Sequence, residues 1–184
     1  EGRLVMLPEL EPGQSFYHRA EKLVATCRAA DDWVIRLENG LDFLLGPDPA
    51  GAGQLRLNRI EDGNGNHVTL DHDAAGNLIR VTGTDGIVYL FTLDDAGRFL
   101  SVARSDGTEQ QVLVEYRYDQ HGDLIAVADP LGAPEHYAYR NHLLIKETLR
   151  GGLSYYFDWD DIARGTEARC IRTWGDGNLF YRSF

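Results

Sequence analysis

Carboxylate and amide side chains cluster at one place where their spacing could hold a metal ion. Asp62, Asn64 and Asn66 occupy alternate positions, as in the opening of an EF-hand calcium loop. That loop requires glycine at its sixth position and glutamate at its twelfth, where this chain has His67 and Asp73. An Asn-Gly dipeptide in the same stretch is a strong hairpin signal. The sequence therefore favours a turn over a calcium site.

A second acidic cluster surrounds Trp159. Asp158, Asp160 and Asp161 beside an indole resemble the carboxylates and aromatic platform of a glycosidase. In a strand the first two would share a face while the third would lie in a turn, so this spacing defines no acid–base pair. A solvated turn is the favoured interpretation. The histidines form no His-x-x-x-His or His-x-His ligand pattern.

Tyrosine and aspartate, which both serve in acid–base sites, recur along this chain with a period. Glycines mark turns at separations of 11, 10, 11, 10, 15 and 10 residues, at Gly65, Gly76, Gly86, Gly97, Gly107, Gly122 and Gly132. A catalytic group is needed once, whereas aspartates that cap turns and tyrosines that pack across strands are needed in every repeat. The recurrence indicates architecture, and we predict no catalytic residue, cofactor or metal.

The periodic glycines also predict the fold. Glycine permits the positive φ of a tight hairpin, and the segments between the turns are short and rich in Val, Ile, Leu, Thr and Tyr. The 15-residue step predicts a bulge or a longer hairpin between Gly107 and Gly122. Helical periodicity is lacking, although residues 20–25 could form one turn. The prediction is an all-β antiparallel meander.

Composition divides the chain into three predicted parts. Residues 1–32, punctuated by prolines, form an extended lead-in; residues 33–150 form the repeat sheet; and residues 151–184 form further strands. Within the second part, Asn39-Gly40 between apolar runs predicts a hairpin, followed by a loop over residues 47–53. Glu1 is not an initiator methionine and the strand-like run at residues 179–183 ends without a turn signal. We interpret the chain as a piece of a longer protein.

Charge and cysteine content limit the classes of function. The net charge of −11 argues against a nucleic-acid or anionic-membrane partner. No apolar run approaches the roughly 20 residues that a membrane-spanning helix needs. Cys27 and Cys170 stand far apart without a Cys-x-x-Cys neighbour, which argues against zinc. Two isolated core thiols are favoured, and a disulfide remains an alternative.

One run of the sequence resembles a known repeat family. Tyr116–Gly132, followed by a Tyr-x-Tyr pair, is similar to the tyrosine–aspartate (YD) repeat of Rhs proteins, with its Tyr-Asp, Gly-x-Leu, Asp-Pro-x-Gly and Tyr-x-Tyr elements. The matching residues are Tyr118, Asp119, Gly122, Leu124, Asp129, Pro130, Gly132, Tyr137 and Tyr139, with Asp73, Gly76, Asp94 and Gly97 in degenerate copies. Residues 157–160 and 170–178, and the early stretches at residues 2–5 and 16–21, also resemble the core of bacterial Rhs proteins.

The resemblance implies a β-sheet that spirals into a hollow shell, or β-cocoon, around a C-terminal toxin domain. It implies as partners the remainder of the Rhs polypeptide and its toxin, with secretion spike and chaperone proteins. It also implies location in the bacterial cytoplasm before export, and delivery to competing cells, often by a type VI secretion system. Each repeat alone cannot bury its apolar face, so stacked repeats would supply one continuous sheet.

Asp-Pro-x-Gly has a second meaning in that family, because the shell of many Rhs proteins ends at an autoproteolysis motif that contains it. Here Asp129-Pro130-Leu131-Gly132 is followed by ordinary repeat sequence, so a turn is favoured.

Two functions follow from the resemblance. The first is a structural segment of a toxin-encapsulating shell, without catalysis. The alternative is a YD-repeat adhesion module that recognises a glycan or a protein. In either case an isolated sheet segment would expose unpaired edges and one apolar face, which predicts association.

Overall fold

The computed structural model describes residues 4–51, 53–179 and 182–183. Across these residues sixteen strands follow one another in chain order in one sheet, and every recorded strand pair is antiparallel. The predicted all-β antiparallel meander is therefore confirmed. No helix within the described residues is long and apolar enough to cross a membrane.

The first eight strands are β1 (Ser15–His18), β2 (Leu23–Ala29), β3 (Asp32–Leu37), β4 (Asp42–Pro47), β5 (Leu55–Glu61), β6 (His67–His72), β7 (Leu78–Gly83) and β8 (Val88–Leu93). The others are β9 (Phe99–Ser105), β10 (Gln110–Tyr118), β11 (Leu124–Ala128), β12 (Glu135–Arg140), β13 (Leu143–Thr148), β14 (Ser154–Trp159), β15 (Cys170–Gly175) and β16 (Arg182–Ser183). Short 3₁₀ segments at Ile162–Glu167 and Asp176–Asn178 flank β15.

The chain forms two compact units, which divide it differently from the three predicted parts. The first unit runs to Phe91 and adds Arg104–Gln110; the second comprises Thr92–Ala103 and Gln111 onwards. The boundaries predicted at residues 32 and 150 therefore stay an interpretation of composition.

In the first unit the strand register separates the two faces of the sheet. Directly opposed residues share a face, and one continuous row across seven strands is apolar: Phe16, Ala25, Ile35, Phe43, Ile60, Val68 and Gly83. The adjacent row points the other way and is mostly polar: Tyr17, Val24, Arg36, Asp42, Glu61 and His67. We call the side that carries the first row the apolar face of the first unit; it also carries Leu70, Val81 and Tyr89.

In the second unit tyrosines collect on one face. The alternation along β10, β12 and β14 places on it Tyr116, Tyr118, Tyr137, Tyr139, Tyr155 and Phe157, and we call it the tyrosine face. Cross-strand pairing places Glu147 between Tyr137 and Tyr155 on this face. The opposite face contains the row Arg117, Ala126, His136, Thr148 and Ser154.

The core is small for a chain of this composition. Hydrophobic residues make up 43% of the sequence, yet among the described residues the buried ones are only Leu23, Ala25, Cys27, Val34, Ala103, Ala126, Leu143 and Ala168. Four of these eight are alanines. Most apolar side chains are half-buried, because the pairing of strands buries backbone and Cβ atoms while the described strands form a single sheet.

Seven hairpin turns share one backbone pattern, found at residues 37–41, 62–66, 73–77, 83–87, 94–98, 119–123 and 149–153. The first N–H donates to the carbonyl of the fifth residue, and the fourth N–H donates to the carbonyl of the first. The fourth residue is always glycine, with φ between 76° and 89°. A left-handed conformation of this kind costs other residues about 1–2 kcal/mol, which explains the glycine period.

Two local expectations need correction. Residues 20–25 form no helical turn: β2 already begins at Leu23 and pairs with β1, because its side chains alternate between burial classes with period two. Gly132 lacks the positive φ of the other turn glycines, because Pro130 and the Asp129 carboxylate, which accepts the Leu131 N–H at 2.8 Å, form this turn instead.

Other expectations hold. The hairpin around Asn39-Gly40 joins β3 to β4 with Trp33 opposite Leu45. The long repeat contains a nine-residue strand and a register shift between Arg117 and Tyr118, so both the longer hairpin and the bulge are present. Of the run at residues 179–183, positions 180 and 181 lie outside the described residues, as do residues 2 and 3 of the early stretch.

Gly76→Ala should destabilise the chain more than Gly86→Ala. Both glycines have φ near 80°, so both variants bear the cost of a left-handed alanine, about 1–2 kcal/mol. A Cβ at residue 76 would also lie 2.8 Å from Arg56 Nη2 and 3.0 Å from Asp48 Oδ1. Around a Cβ at residue 86, no described atom beyond the adjacent residues of the chain would lie within 4 Å. Urea unfolding of the two variants measures the difference in their free energies of unfolding. Equal losses of stability would show that the Arg56 and Asp48 side chains move away from the new Cβ at no cost.

Candidate functional site

The repeat residues that could do chemistry meet at the hairpin turns. Asp62, Asp73, Asp94 and Asp119 each open one of the seven turns. One carboxylate oxygen accepts the N–H groups of the third and fifth turn residues at 2.8–3.0 Å in all four turns. The N–H of the fifth residue is the largest cause that lowers the pKa of Asp73 and of Asp94. Hydrogen bonds from the backbone thus favour the ionised form of the Asp73 and Asp94 carboxylates.

The second carboxylate oxygen often binds the side chain of the fifth residue. Asn66 Nδ2 donates to Asp62 Oδ2 at 2.8 Å, and Arg98 Nε donates to Asp94 Oδ2 at 2.7 Å. The calcium-like spacing at residues 62–66 therefore forms a turn in which both carboxylate oxygens already have donors. Among the described residues, no group of three or more His, Cys, Asp or Glu side chains could hold a metal ion.

Two further turns place the acceptor differently. Asn39 and Asp85 stand at the third turn position, and each accepts the N–H of the fifth residue, at 3.1 Å and 3.0 Å. The turn at residues 149–153 has neither arrangement and carries two adjacent glycines. Sequence reasoning missed this turn, because Gly152 falls outside the run of regularly spaced glycines.

At one end of the second unit, neighbouring turns are linked by side chains. Turns separated by two antiparallel strands lie at the same end of a sheet. The Arg98 guanidinium, from the turn at residues 94–98, lies 4.6 Å above the Tyr118 ring beside the next such turn. Asp123 of that turn binds His142 Nδ1 at 2.8 Å. Asn141 then donates to the Ile162 carbonyl at 2.9 Å, so each turn contacts its successor.

The first unit has a link of the same kind. Arg56 donates to Asp48 Oδ2 at 2.7 Å, and the pair lies against Gly76 of the turn at residues 73–77. Only 4% of the Asp48 side chain is exposed. The hydrogen bond from Arg56 is the largest cause of the lowered pKa of Asp48.

At the other end of the second unit, the Asp-Pro-x-Gly turn joins a similar network. Arg150 donates to the Asp129 carboxylate and lies 3.4 Å from Glu135. Further along this end, Asp176 accepts the Ser154 N–H at 2.8 Å and the Tyr156 hydroxyl at 3.0 Å. The Asp129 carboxylate therefore holds a turn and an arginine from a neighbouring turn.

The tyrosines of the Tyr-x-Tyr pair pack within the sheet. Burial, followed by the hydrogen bond that its hydroxyl donates to Glu135 at 2.9 Å, raises the pKa of Tyr137 to about 12. Burial also raises the pKa of Tyr139. Leu124 lies directly opposite Tyr118 across the bulge. Phenols with raised pKa values stay protonated, which suits packing rather than proton transfer at neutral pH.

The carboxylates around Trp159 also bind neighbouring groups of the chain. Asp158 pairs with Arg172, Asp160 accepts the backbone N–H groups of Asp161 and Arg169, and Asp161 caps the 3₁₀ segment through Ala163 N at 2.9 Å. These contacts agree with a turn. Both cysteines are free, and only Cys27 is buried, so the core-thiol expectation fails for the half-buried Cys170.

Asp94→Ala should lower the stability of the chain, whereas Asp95→Ala should change it by less than about 0.5 kcal/mol, as is usual at exposed positions. Asp94 accepts two backbone N–H groups and binds Arg98. Asp95 is exposed and makes no such hydrogen bond or ion pair with the described residues. Urea denaturation measures both effects. A loss of stability in D95A as large as that in D94A would show that the hydrogen bonds of Asp94 to its turn do not stabilise the chain.

The His142–Asp123 link should make stability depend on pH. The hydrogen bond with Asp123 raises the pKa of His142 above its usual 6.5. Its contribution is therefore complete below about pH 6.5, provided that Asp123 is ionised, and is lost as the pH rises through the raised pKa. Residue 142 has φ 63°, which asparagine tolerates, so H142N removes the charge with little backbone strain.

Unfolding of the natural chain and of H142N should be followed from pH 5 to pH 9. The stability difference between them should be largest at the acid end and shrink towards the alkaline end. A difference that is constant across this range would contradict an ionic link.

Comparison with known proteins shows what part of this chain is similar to a repeat family and to two toxins. The RHS Repeat family model matches residues 72–109, which include the turns at residues 73–77, 83–87 and 94–98. The chain is 26% identical over 177 residues to Double-stranded DNA deaminase toxin A of Burkholderia cenocepacia, a match that covers 94% of this chain and 12% of that protein. It is 43% identical over 49 residues to Toxin protein Tse5 of Pseudomonas aeruginosa, covering 26% of this chain and 4% of Tse5.

Among solved structures, the Photorhabdus luminescens Tc holotoxin pore contains a similar fold. The similarity has a TM-score of 0.58 at 15% identity and covers 88% of this chain and 9% of the other. The chain thus spans only a small fraction of the proteins that it matches. Together the family model and the relatives confirm the resemblance that the repeat indicated: the chain carries an RHS repeat, at residues 72–109, and its relatives are Rhs-type toxins.

Proposed function

We propose that this chain is a structural segment of an Rhs-type β-shell that encapsulates a C-terminal toxin for delivery to competing cells. The segment itself performs no catalysis in this proposal. The observation that carries it is the apolar face of the first unit, a row of apolar residues across seven strands of a single sheet, in which only Ala25 is buried among the described residues. Its toxin relatives supply the context.

An uncovered apolar face has a physical consequence. Burial of apolar surface contributes about 25 cal/mol per Å², and an exposed patch of several hundred Å² usually marks an interface. On this face Tyr89 is 38% exposed and Ile79 is 36% exposed. Such a face is stable when more strands of the same polypeptide, or an enclosed domain, cover it, which is what a closed shell provides.

The turns support a structural role in a second way. Carboxylates that could serve as acids, bases or metal ligands instead accept hydrogen bonds from their own turns, as Asp62, Asp73, Asp94 and Asp119 do. Links between successive turns, such as Asp123–His142, stabilise the stacking of one hairpin on the next. This is the demand of a repeat array, in which each unit contacts its neighbours.

The length of the native polypeptide tests the encapsulation proposal. Intact-mass measurement and peptide mapping from the source cell should show a polypeptide several times longer than this chain, with a C-terminal toxin that stays associated. A native polypeptide that ends near residue 184 without a toxin would contradict encapsulation and favour the adhesion module.

Substitution on the two faces of β7 tests the role of the apolar face. Val81 lies on it between Leu70 and Tyr89, while the next residue, Thr82, points the other way. In the complete polypeptide, V81E should expose the C-terminal region to added protease, because a buried unpaired carboxylate is costly. T82E should leave that region protected. Equal protection in both variants would contradict a covered apolar face.

A further inference from the structure

The face of the second unit opposite the tyrosines carries basic side chains. We call it the cationic face and define it by Arg117, His136, Arg140 and Lys146. Cross-strand pairing sets small residues between them: Ala126 lies between Arg117 and His136, and Ala138 lies opposite Lys146. Arg117, His136 and Arg140 are exposed, and Lys146 is half-buried.

These basic groups have no carboxylate partner within the described part of the chain. Arginines on other strands do: Arg36 binds Asp42 at 2.6 Å, and Arg59 binds Glu61 at 2.8 Å. The chain has 29 acidic residues against 18 Lys and Arg, so carboxylates are abundant. On this face Arg117, Arg140 and Lys146 outnumber the one carboxylate at the cavity, Glu115. In so acidic a chain this is a local reversal of charge.

A cavity lies beside Arg117 and His136, at one side of the cationic face. It has a volume of about 170 Å³ and is lined by Glu115, Arg117, Ala126, Ala128, Pro134 and His136. Alanine side chains form its floor because Ala126 is buried between two strands that carry longer side chains. Arg117 and His136 stand on strands about 10 Å apart, on either side of this floor. A side chain from outside could enter between them.

A stack of aromatic and basic groups fixes the far side of the cationic face. Lys146 Nζ lies 5.6 Å from the Tyr156 ring centroid, the Tyr156 and Trp174 rings stack at 5.5 Å, and the Arg172 guanidinium lies 4.5 Å from the Trp174 ring. Each ring thus already has two neighbours within the sheet. The stack holds the Lys146 side chain in place. A partner that binds Lys146 would therefore lose less conformational entropy of this side chain.

We propose that the cationic face docks an acidic, extended segment of another polypeptide. In an extended chain, carboxylates two residues apart lie about 6.6 Å apart on one side and can reach several of these cations. The apolar floor suits a polypeptide, whose uncharged side chains can fill the cavity. A uniform polyanion such as nucleic acid would meet Glu115 at the cavity and the net charge of −11 beyond it.

Binding of a fluorescent poly-glutamate peptide to the complete native polypeptide tests this proposal. Fluorescence anisotropy should show binding that weakens as salt is added, since exposed charges are screened. The double variant R117E/R140E should bind about tenfold more weakly or worse, because two attractions become repulsions. The matched control R28E/R80E makes the same charge change on strands of the first unit and should bind as the natural protein does.

Three results would overturn the proposal: no binding of the peptide at low salt, an equal loss in R28E/R80E, or tighter binding of a DNA oligonucleotide of the same charge. Circular dichroism of each variant shows that the sheet persists. The encapsulation proposal depends on the apolar face, so its V81E test stays independent of all three results.

Discussion

The five-residue turn determines the rest of this structure. Glycine in the left-handed region and two backbone hydrogen bonds set where each strand reverses, and in four turns an aspartate binds the N–H groups that would otherwise lack partners. Since a hairpin turn sets the register of its two strands, a slip of one residue would exchange the faces of a strand. The repeated turn therefore keeps Phe43, Ile60 and Val68 on one side of the first unit.

Consistent register makes each unit a sheet with two chemically different sides. In the first unit, charged residues on the polar side pair with each other, as Arg36 and Asp42 do, while the apolar side has few charges to pair. In the second unit Glu135 accepts the hydrogen bond of the Tyr137 hydroxyl on the tyrosine face, while the basic side chains of the opposite face have no carboxylate partner among the described residues. A sheet that contributes so little core of its own depends on what covers it, which connects the repeat to the shell that we propose.

Much of the fold could be predicted from the sequence because glycine and aspartate at fixed offsets have few structural alternatives. The turns at Gly76 and Gly97 follow from spacing alone, and the 15-residue step predicted either a bulge or a longer hairpin in the long repeat. The strand at Leu23–Ala29 did not, because Ala, Glu, Lys and Leu favour helices locally and only pairing with β1 and β3 makes this segment a strand. Gly132 was mistaken for a left-handed turn glycine because proline offers a second way to build a turn.

For the candidate site, the sequence predicted only that the repeated Tyr and Asp residues have no spacing suited to catalysis. That Asp123 binds His142, or that Arg98 covers Tyr118, depends on which turns share an end of the sheet. The strand order determines this, and no local pattern reports it. The cationic face could not be predicted from the sequence for the same reason. Its members Arg117, His136 and Lys146 lie far apart in sequence and come together only through cross-strand register.

Oxidative footprinting tests most directly the claim that the apolar face is covered in the native protein. Hydroxyl-radical labelling would compare the 184-residue chain with the complete native polypeptide. Phe43 and Tyr89, on the apolar face, should be labelled in the isolated chain and protected in the complete polypeptide, while Thr82 on the opposite face provides the reference. Equal labelling of Phe43 and Tyr89 in both proteins would contradict the account.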